Sequence, residues 1–427
     1  MTPAPFGPSC RRLVSTLALA LAVIGSAATT LAQDVPQPPD PPAAPDGFLP
    51  EPHFITRAID FATRTMGDGN GEKSGFYAEM GHMITGAGWI SAGAGYRQWI
   101  GGDRLVLDAS AAMSWRSYKM ARARFEFTNL ARSRVALGAE GRWQDFTQNS
   151  HFGDGAASLE ADRSEYRVKS LNVIGYTNVR PMKWLTIGGR AGWLQRPELL
   201  VPAGTFQRNY PAMQETFADD PAFALAKQPN YAHGEASITA DTRDHRSHPL
   251  EGGLYRGSWT RFSDRDNGRF SFQRFEAEAA QFVPVAGSAI TLAFRGWLVA
   301  SETAEGALVP FYLMPSLGGN NTLRAYANYR FHGRHLAVVN VETRFALLRH
   351  LDAVLFADAG NVAARMADLN LDKTSFGFGL RMHSTQATFA RLDVAHGAEG
   401  WRVAFNTSDP LHLSRLSRRT APIPFAP

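Results

Sequence analysis

From Ser74 onward the sequence alternates apolar and polar side chains with a period of two, segment after segment. In residues 388–394, Thr388, Ala390, Leu392 and Val394 interleave with Phe389, Arg391 and Asp393, and further on Trp401, Val403 and Phe405 oppose Arg402, Ala404 and Asn406. Phe376, Phe378, Leu380 and Met382 oppose Gly377, Gly379 and Arg381, while Phe275, Ala277 and Ala279 oppose Glu276 and Glu278. A strand sends successive side chains to opposite faces, so each segment has one apolar and one charged face. A water-soluble antiparallel sandwich alternates in the same way. Two features favour lipid as the apolar solvent. Aromatics such as Tyr96, Trp99, Trp184, Trp193 and Trp297 stand near strand ends, as interfacial girdles do, and many apolar-face residues are too small to fill a sandwich core. Lipid cannot pair the backbone of an open edge, so such a sheet is expected to close. From Gly75 onward there are roughly 350 residues, and at about 20 to 24 per strand with its connection they give on the order of 16 strands. The expected fold is an all-β, antiparallel transmembrane barrel over residues 75–427.

Ahead of the barrel the pattern differs. Arg11 and Arg12 precede an apolar run at residues 13–25, and small residues lead to Thr30, Leu31 and Ala32, the three zones of a secretory signal. The run is too short to span a bilayer, so residues 1–32 are expected to be removed on export. Cys10 is the one cysteine and would leave with the signal, so the exported chain would depend on hydrogen bonding and burial alone. Without Arg11 and Arg12 the charge balance is 42 basic against 39 acidic residues, or +3, too even to suggest nucleic-acid binding. Residues 33–52 are proline-rich and predict a semi-rigid linker. In residues 53–66, Phe54, Ile55, Ala58, Ile59, Phe61, Ala62 and Met66 share one helical face opposite Arg57, Asp60, Thr63 and Arg64. The spacing predicts an amphipathic helix that lies on the membrane, plugs the barrel mouth or docks on its wall, ended by the glycines of residues 67–71. With that turn, residues 53–74 form a short unit before the barrel.

Three motifs in the last third are more specific. Leu317-Gly318-Gly319-Asn320-Asn321-Thr322-Leu323-Arg324-Ala325-Tyr326 is followed by Asn340-Val341-Glu342-Thr343-Arg344-Phe345 and then by Phe356-Ala357-Asp358-Ala359-Gly360-Asn361-Val362. Their order and spacing resemble the C-terminal half of the BamA/TamA superfamily of outer-membrane barrels, the bacterial surface antigen family. Asp241-Thr242-Arg243-Asp244 with Pro249, Gly252 and Gly253 is similar to the family's mid-barrel strand-turn segment, and His151-Phe152-Gly153-Asp154-Gly155 resembles an earlier glycine element. In that family a long extracellular loop with an Arg-Gly-aromatic tip folds into the lumen and sets its arginine against an acidic residue on a neighbouring strand. The resemblance implies a loop built on Gly318, Gly319, Asn320, Leu323 and Ala325, with Arg324 and Tyr326 at its tip, Asp358 as acidic partner and Glu342 close by. Ala325 stands where the family tip usually has glycine, and a tail with Arg415, Arg418 and Arg419 follows Phe405, where family barrels end on an aromatic.

The resemblance further implies a barrel that helps insert or translocate protein or lipid at the outer membrane, through a weak seam between first and last strands that opens laterally. Outer-membrane lipid, client outer-membrane or secreted proteins, and the barrel assembly machinery would be its partners. Family members that insert or secrete polypeptides carry periplasmic domains. The roughly 40 residues between Ala32 and Gly75 fall below the size of a domain, so a barrel-only member is expected.

Independently of any family, a planar guanidinium can hold a carboxylate through two parallel charge-assisted bonds, which suits Arg324 and Asp358 to pinning a loop in a wet lumen. The charged-face residues Arg295, Glu342, Arg344, Arg381, Arg391 and Asp393 would equally line a passive or gated pore, and a structural role, in a homodimer for instance, is a third reading. No enzyme is expected, since no Gly-x-Ser-x-Gly element occurs. His245 and His248 lie in a turn beside Arg246 and read as a solvated loop rather than a metal pair, and residues 67–71 lack the acidic spacing of a calcium loop. No metal or cofactor is expected.

Overall fold

The computed structural model describes residues 47–57, 59, 74–80, 91–102, 104–204, 210–222, 225, 227–245, 248–285, 289–384, 388–406 and 411. The predicted signal, most of the linker, the glycine turn and the basic tail fall outside these residues. Of the predicted helix, residues 53–57 and 59 are helical, and Ile59 is buried.

Sixteen strands form one antiparallel sheet in sequence order, interrupted only by a two-stranded ladder inside the longest connection. The first eight are β1 (Gly75–Met80), β2 (Ser91–Ile100), β3 (Leu105–Ser114), β4 (Lys119–Leu130), β5 (Val135–His151), β6 (Ser164–Met182), β7 (Leu185–Leu200) and β8 (Tyr231–Asp241). They continue with β9 (Gly252–Asp264), β10 (Phe272–Pro284), β11 (Ile290–Thr303), β14 (His335–Leu348), β15 (Leu351–Ala363), β16 (Lys373–His383), β17 (Thr388–Gly397) and β18 (Gly400–Asn406). The inner ladder pairs β12 (Ser316–Leu317) with β13 (Phe331–His332).

Burial follows the period of two. On β14, Asn340, Glu342 and Arg344 are buried while Val339 is 40% exposed, and on β16 Phe376 and Phe378 are more than half exposed beside buried Ser375 and Arg381. The charged faces therefore turn inward and the apolar faces outward, the inverse of a soluble core and the arrangement that lipid requires. Tyr96, Trp184 and Trp193 project outward, at 43, 45 and 44% exposure. Trp297 departs from its expected girdle position: it is buried in the lumen, where its indole N–H donates to Glu276 Oε1 at 2.9 Å. Its odd number places it on the Arg295 face, and it stands in the middle of β11 rather than near an end.

The wall is uneven. β5, β6 and β7 run 17, 19 and 16 residues, whereas the outermost strands β1 and β18 have 6 and 7 among the described residues. Among the described residues no ladder joins β1 to β18, so the expected hydrogen-bonded closure is not made there.

The sheet nonetheless curls around a filled interior. Tyr118 of the β3–β4 connection and Phe146, Tyr166, Tyr231, Phe262 and Phe272 of five strands converge on Met213 of the 201–230 connection and on Phe311 and Leu313 of the 304–334 connection. This apolar cluster blocks the lumen near the rim of long connections. At the opposite rim the N-terminal segment is strapped to the β14–β15 turn, with Phe48 N–H donating to Ala346 O at 2.9 Å and Leu49 N–H to Leu347 O at 2.8 Å.

Candidate functional site

Strand register arranges the inward side chains in rows. One row runs Arg295, Asn340, Asp358, Ser375 and Gly397 across β11, β14, β15, β16 and β17. Two residues nearer the β14–β15 turn lies the row Ala293, Glu342, Phe356, Gly377 and Ala395, and beyond it Thr291, Arg344, Val354, Gly379 and Asp393. Acidic, amide and hydroxyl groups thus meet on one concave wall because positions of like parity align across neighbouring strands.

The 304–334 connection folds down onto this wall. Its tip closes on itself: Gly319 N–H donates to Tyr326 O at 3.0 Å, Tyr326 N–H to Leu323 O at 3.1 Å, and Gly318 N–H to Thr322 Oγ1 at 2.9 Å. Gly318 and Gly319 hold φ of 108° and 92°, a region that side chains disfavour, which accounts for the paired glycines. Ala325 is not among the described non-glycine residues with positive φ, so alanine fits there without backbone strain. Space is made from the other side, since a Cβ on Gly397 would lie 2.9 Å from Ala325 Cβ.

Arg324 is fully buried. Its Nη2 lies 2.6 Å from Asp358 Oδ1 and its Nε 3.0 Å from Asp358 Oδ2, and its Nη1 donates to Glu342. Its backbone N–H also donates to Asp358 Oδ2, at 3.2 Å, and the guanidinium lies 3.6 Å from the Phe356 ring centroid. Asp358 accepts further bonds from Asn340 Nδ2 at 2.8 Å and Ser375 Oγ at 2.7 Å. A buried carboxylate requires such saturation, because each unmet lone pair would carry a desolvation cost.

Loop carbonyls are held as well. Arg295 Nη1 donates to Asn321 O at 2.6 Å, Asn340 Nδ2 to Thr322 O at 2.7 Å, and Arg391 Nη2 to Asn320 O at 2.9 Å. Tyr326 packs edge-on against Phe331, 5.3 Å between centroids, and Leu323, Ala325 and Tyr326 join an apolar cluster with Trp297, Val338 and Phe356. The residues expected to line a pore are all buried in ion pairs. Arg344 Nη2 is 3.0 Å and Arg381 Nη2 3.2 Å from Glu342, Arg381 Nη1 is 2.6 Å and Arg391 Nε 3.2 Å from Asp393, and Arg295 Nη2 is 2.6 Å from Glu278.

Several participants carry no sequence signal of their task. Asn340 and Ser375 are ordinary polar positions until register sets them beside Asp358. Arg330, at the loop base, donates to Glu399 Oε1 at 2.7 Å and through Nη1 to Ser158 Oγ at 2.8 Å, and lies 5.0 Å from the Phe152 ring centroid. Gly155 N–H donates to His332 O at 2.7 Å, so the early glycine element abuts the base of this same loop. Among the described residues His245 belongs to no metal-ligating group, whereas His248 lies near Asp352 and His383.

A sequence profile described as the Omp85 superfamily domain matches residues 102–397. Among solved structures, BamA from Haemophilus ducreyi lacking POTRA domains 1–3 is similar with a TM-score of 0.59 and 13% identity, over 78% of this chain and 70% of that one. CdiB from Acinetobacter baumannii gives 0.46 and 13% over 78% of this chain and 59% of its own, and CdiB from Escherichia coli 0.49 and 10% over 78% and 61%. At these identities the likeness to BamA speaks for the fold alone. No curated protein matches by sequence. The profile spans β3 to β17 and, with them, Arg324 and its loop, Asp358 and Glu342, and the chain belongs to the Omp85 superfamily of outer-membrane β-barrels.

Proposed function

We propose that this chain assists the insertion or translocation of protein, or of lipid, at the outer membrane, and that Arg324 locks the lumen loop in the conformation that this work requires. The observation that carries the reading is the saturated contact of Arg324 with Asp358 and Glu342, reinforced by three side-chain bonds to loop carbonyls. So many directional bonds specify one loop position, which a barrel with a merely blocked lumen does not need.

The same loop touches the last hairpin at three points, through Arg391 to Asn320 O, Ala325 against Gly397, and Arg330 to Glu399. That hairpin borders the edge between β1 and β18, where no ladder is made among the described residues. Loop position and the freedom of that edge are therefore mechanically linked, and a lateral opening there would give a client strand its hydrogen-bonding edge. A passive pore is the weaker reading, because its would-be lining arginines are consumed in ion pairs and the upper lumen is filled with aromatics. Outer-membrane and secreted proteomes of a strain lacking the chain test the proposal. Loss of particular proteins, restored by the wild-type gene, is expected; unchanged proteomes would rule out protein clients.

A further inference from the structure

Two histidines and an aspartate from separate elements meet at the rim opposite the loop site. His248 comes from the β8–β9 connection, Asp352 opens β15 and His383 ends β16; all are buried, with ligand atoms within 4.8 Å of one another. His248 Nε2 lies 3.4 Å from Asp352 Oδ2, and His383 Nε2 lies 3.2 Å from Asp352 Oδ1. Zinc bonds to nitrogen and oxygen are about 2.0 to 2.2 Å long, and tetrahedral geometry then separates neighbouring donors by about 3.3 to 3.5 Å. Both contacts are close to that spacing. The imidazole rings lie 3.5 Å apart and 11° from parallel, so convergence of both nitrogens on one ion takes a pivot about the side-chain torsions. His383 Nδ1 is buried with no hydrogen-bond partner, so no hydrogen bond on its far side fixes the ring against that pivot. A small cavity lined by the trio, Thr291 and Arg344 adjoins. Two arginines also line this cavity, Arg349 and Arg344, and Arg344 is engaged by Glu342 at 3.0 Å.

We propose that His248, Asp352 and His383 bind a divalent transition-metal ion of the zinc class. Two imidazoles with one carboxylate suit zinc, nickel or copper and disfavour magnesium and calcium, which prefer all-oxygen shells. The ion would fasten the β8–β9 connection across the barrel mouth to β15 and β16. Asp352 pairs in register with Arg381, a member of the ion network under the loop, so occupancy would stiffen the wall on which the loop rests.

The test is calorimetric titration of zinc, with magnesium as control, into the full chain purified in detergent at neutral pH. Stoichiometric zinc binding without magnesium binding is expected for wild type and for His245→Ala. His248→Ala and Asp352→Asn should weaken zinc by at least the roughly 100-fold that even the outer partners of metal ligands can cost. His248 lies in a connection, so His248→Gln offers a second variant that spares every ladder, and heat-modifiable electrophoretic mobility reports folding of each protein. Zinc should also protect the β8–β9 connection from protease in wild type alone. Absence of zinc binding in wild type, or binding undiminished in the folded His248 variants, would overturn the proposal.

Discussion

Arg324 bonds two carboxylates and stacks on a phenyl ring while fully buried, a combination that a planar, permanently charged group can satisfy and an ammonium cannot. Removing one partner strands the others in a water-poor site, so Arg324→Ala and Asp358→Ala should each destabilise the docked loop by about 3 to 5 kcal/mol. Hydrogen exchange of residues 318–326 should rise sharply in both, and Arg324→Lys should fall between them and wild type. Exchange at the wild-type rate in both alanine variants would show that the loop is held by other contacts. A second pair of substitutions tests the fit at the tip. A methyl on Gly397 would meet Ala325 Cβ at 2.9 Å and Thr374 O at 2.9 Å, so Gly397→Ala should cost about 1 to 3 kcal/mol by urea titration. Ala325→Gly should restore part of that loss, since it relieves one of the two clashes. Arg324 and Asp358 are legible in the sequence because their motifs are distinctive. Gly397, Asn340 and Ser375 are not, because their roles arise from register across four strands, which turn lengths and sheet shear set together.

The strands around the site are readable from the period of two because lipid and lumen impose opposite polarities on adjacent residues. Trp297 is misread because it stands mid-strand in β11, where an indole whose N–H finds an acceptor suits the lumen face as well as an interface. The N-terminal strap is less readable, because its pairing partner is a turn some 300 residues away. Glu51 receives hydrogen bonds from His350 N–H at 2.8 Å and from Thr56 Oγ1 at 2.7 Å, and lies 2.8 Å from His350 Nδ1. Burial would raise the Glu51 carboxyl, but these hydrogen bonds outweigh it and hold the group below the ordinary glutamate range. A depressed carboxyl stabilises the attached state above its unfolded pKa and loses that contribution as pH falls through the folded value. Residues 47–51 should therefore stay protected from hydrogen exchange at neutral pH and become labile as the pH falls through and below the ordinary glutamate range. Glu51→Gln should remove that pH dependence, and protection that survives acid unchanged would assign the strap to its backbone bonds alone.

Among the described residues, the sheet is tallest at β5 to β7 and has no ladder between β1 and β18, and the lumen is closed by aromatics above and by the gripped loop below. A barrel so filled should pass little current: in planar bilayers the wild-type protein is expected to give small, flickering conductance. Large steady channels would instead support the pore. The strand count is legible from length and spacing, whereas the lack of a β1–β18 ladder among the described residues is not, since the sequence of an edge strand does not say whether its outer edge is paired. The most direct test of loop anchoring as part of the function is to complement a strain lacking this chain with wild type or Arg324→Ala at equal barrel abundance, and to quantify outer-membrane and secreted proteins. Restoration of the lost proteins by wild type alone is the expected result; equal restoration by Arg324→Ala would contradict a functional lock and leave Arg324 a structural residue.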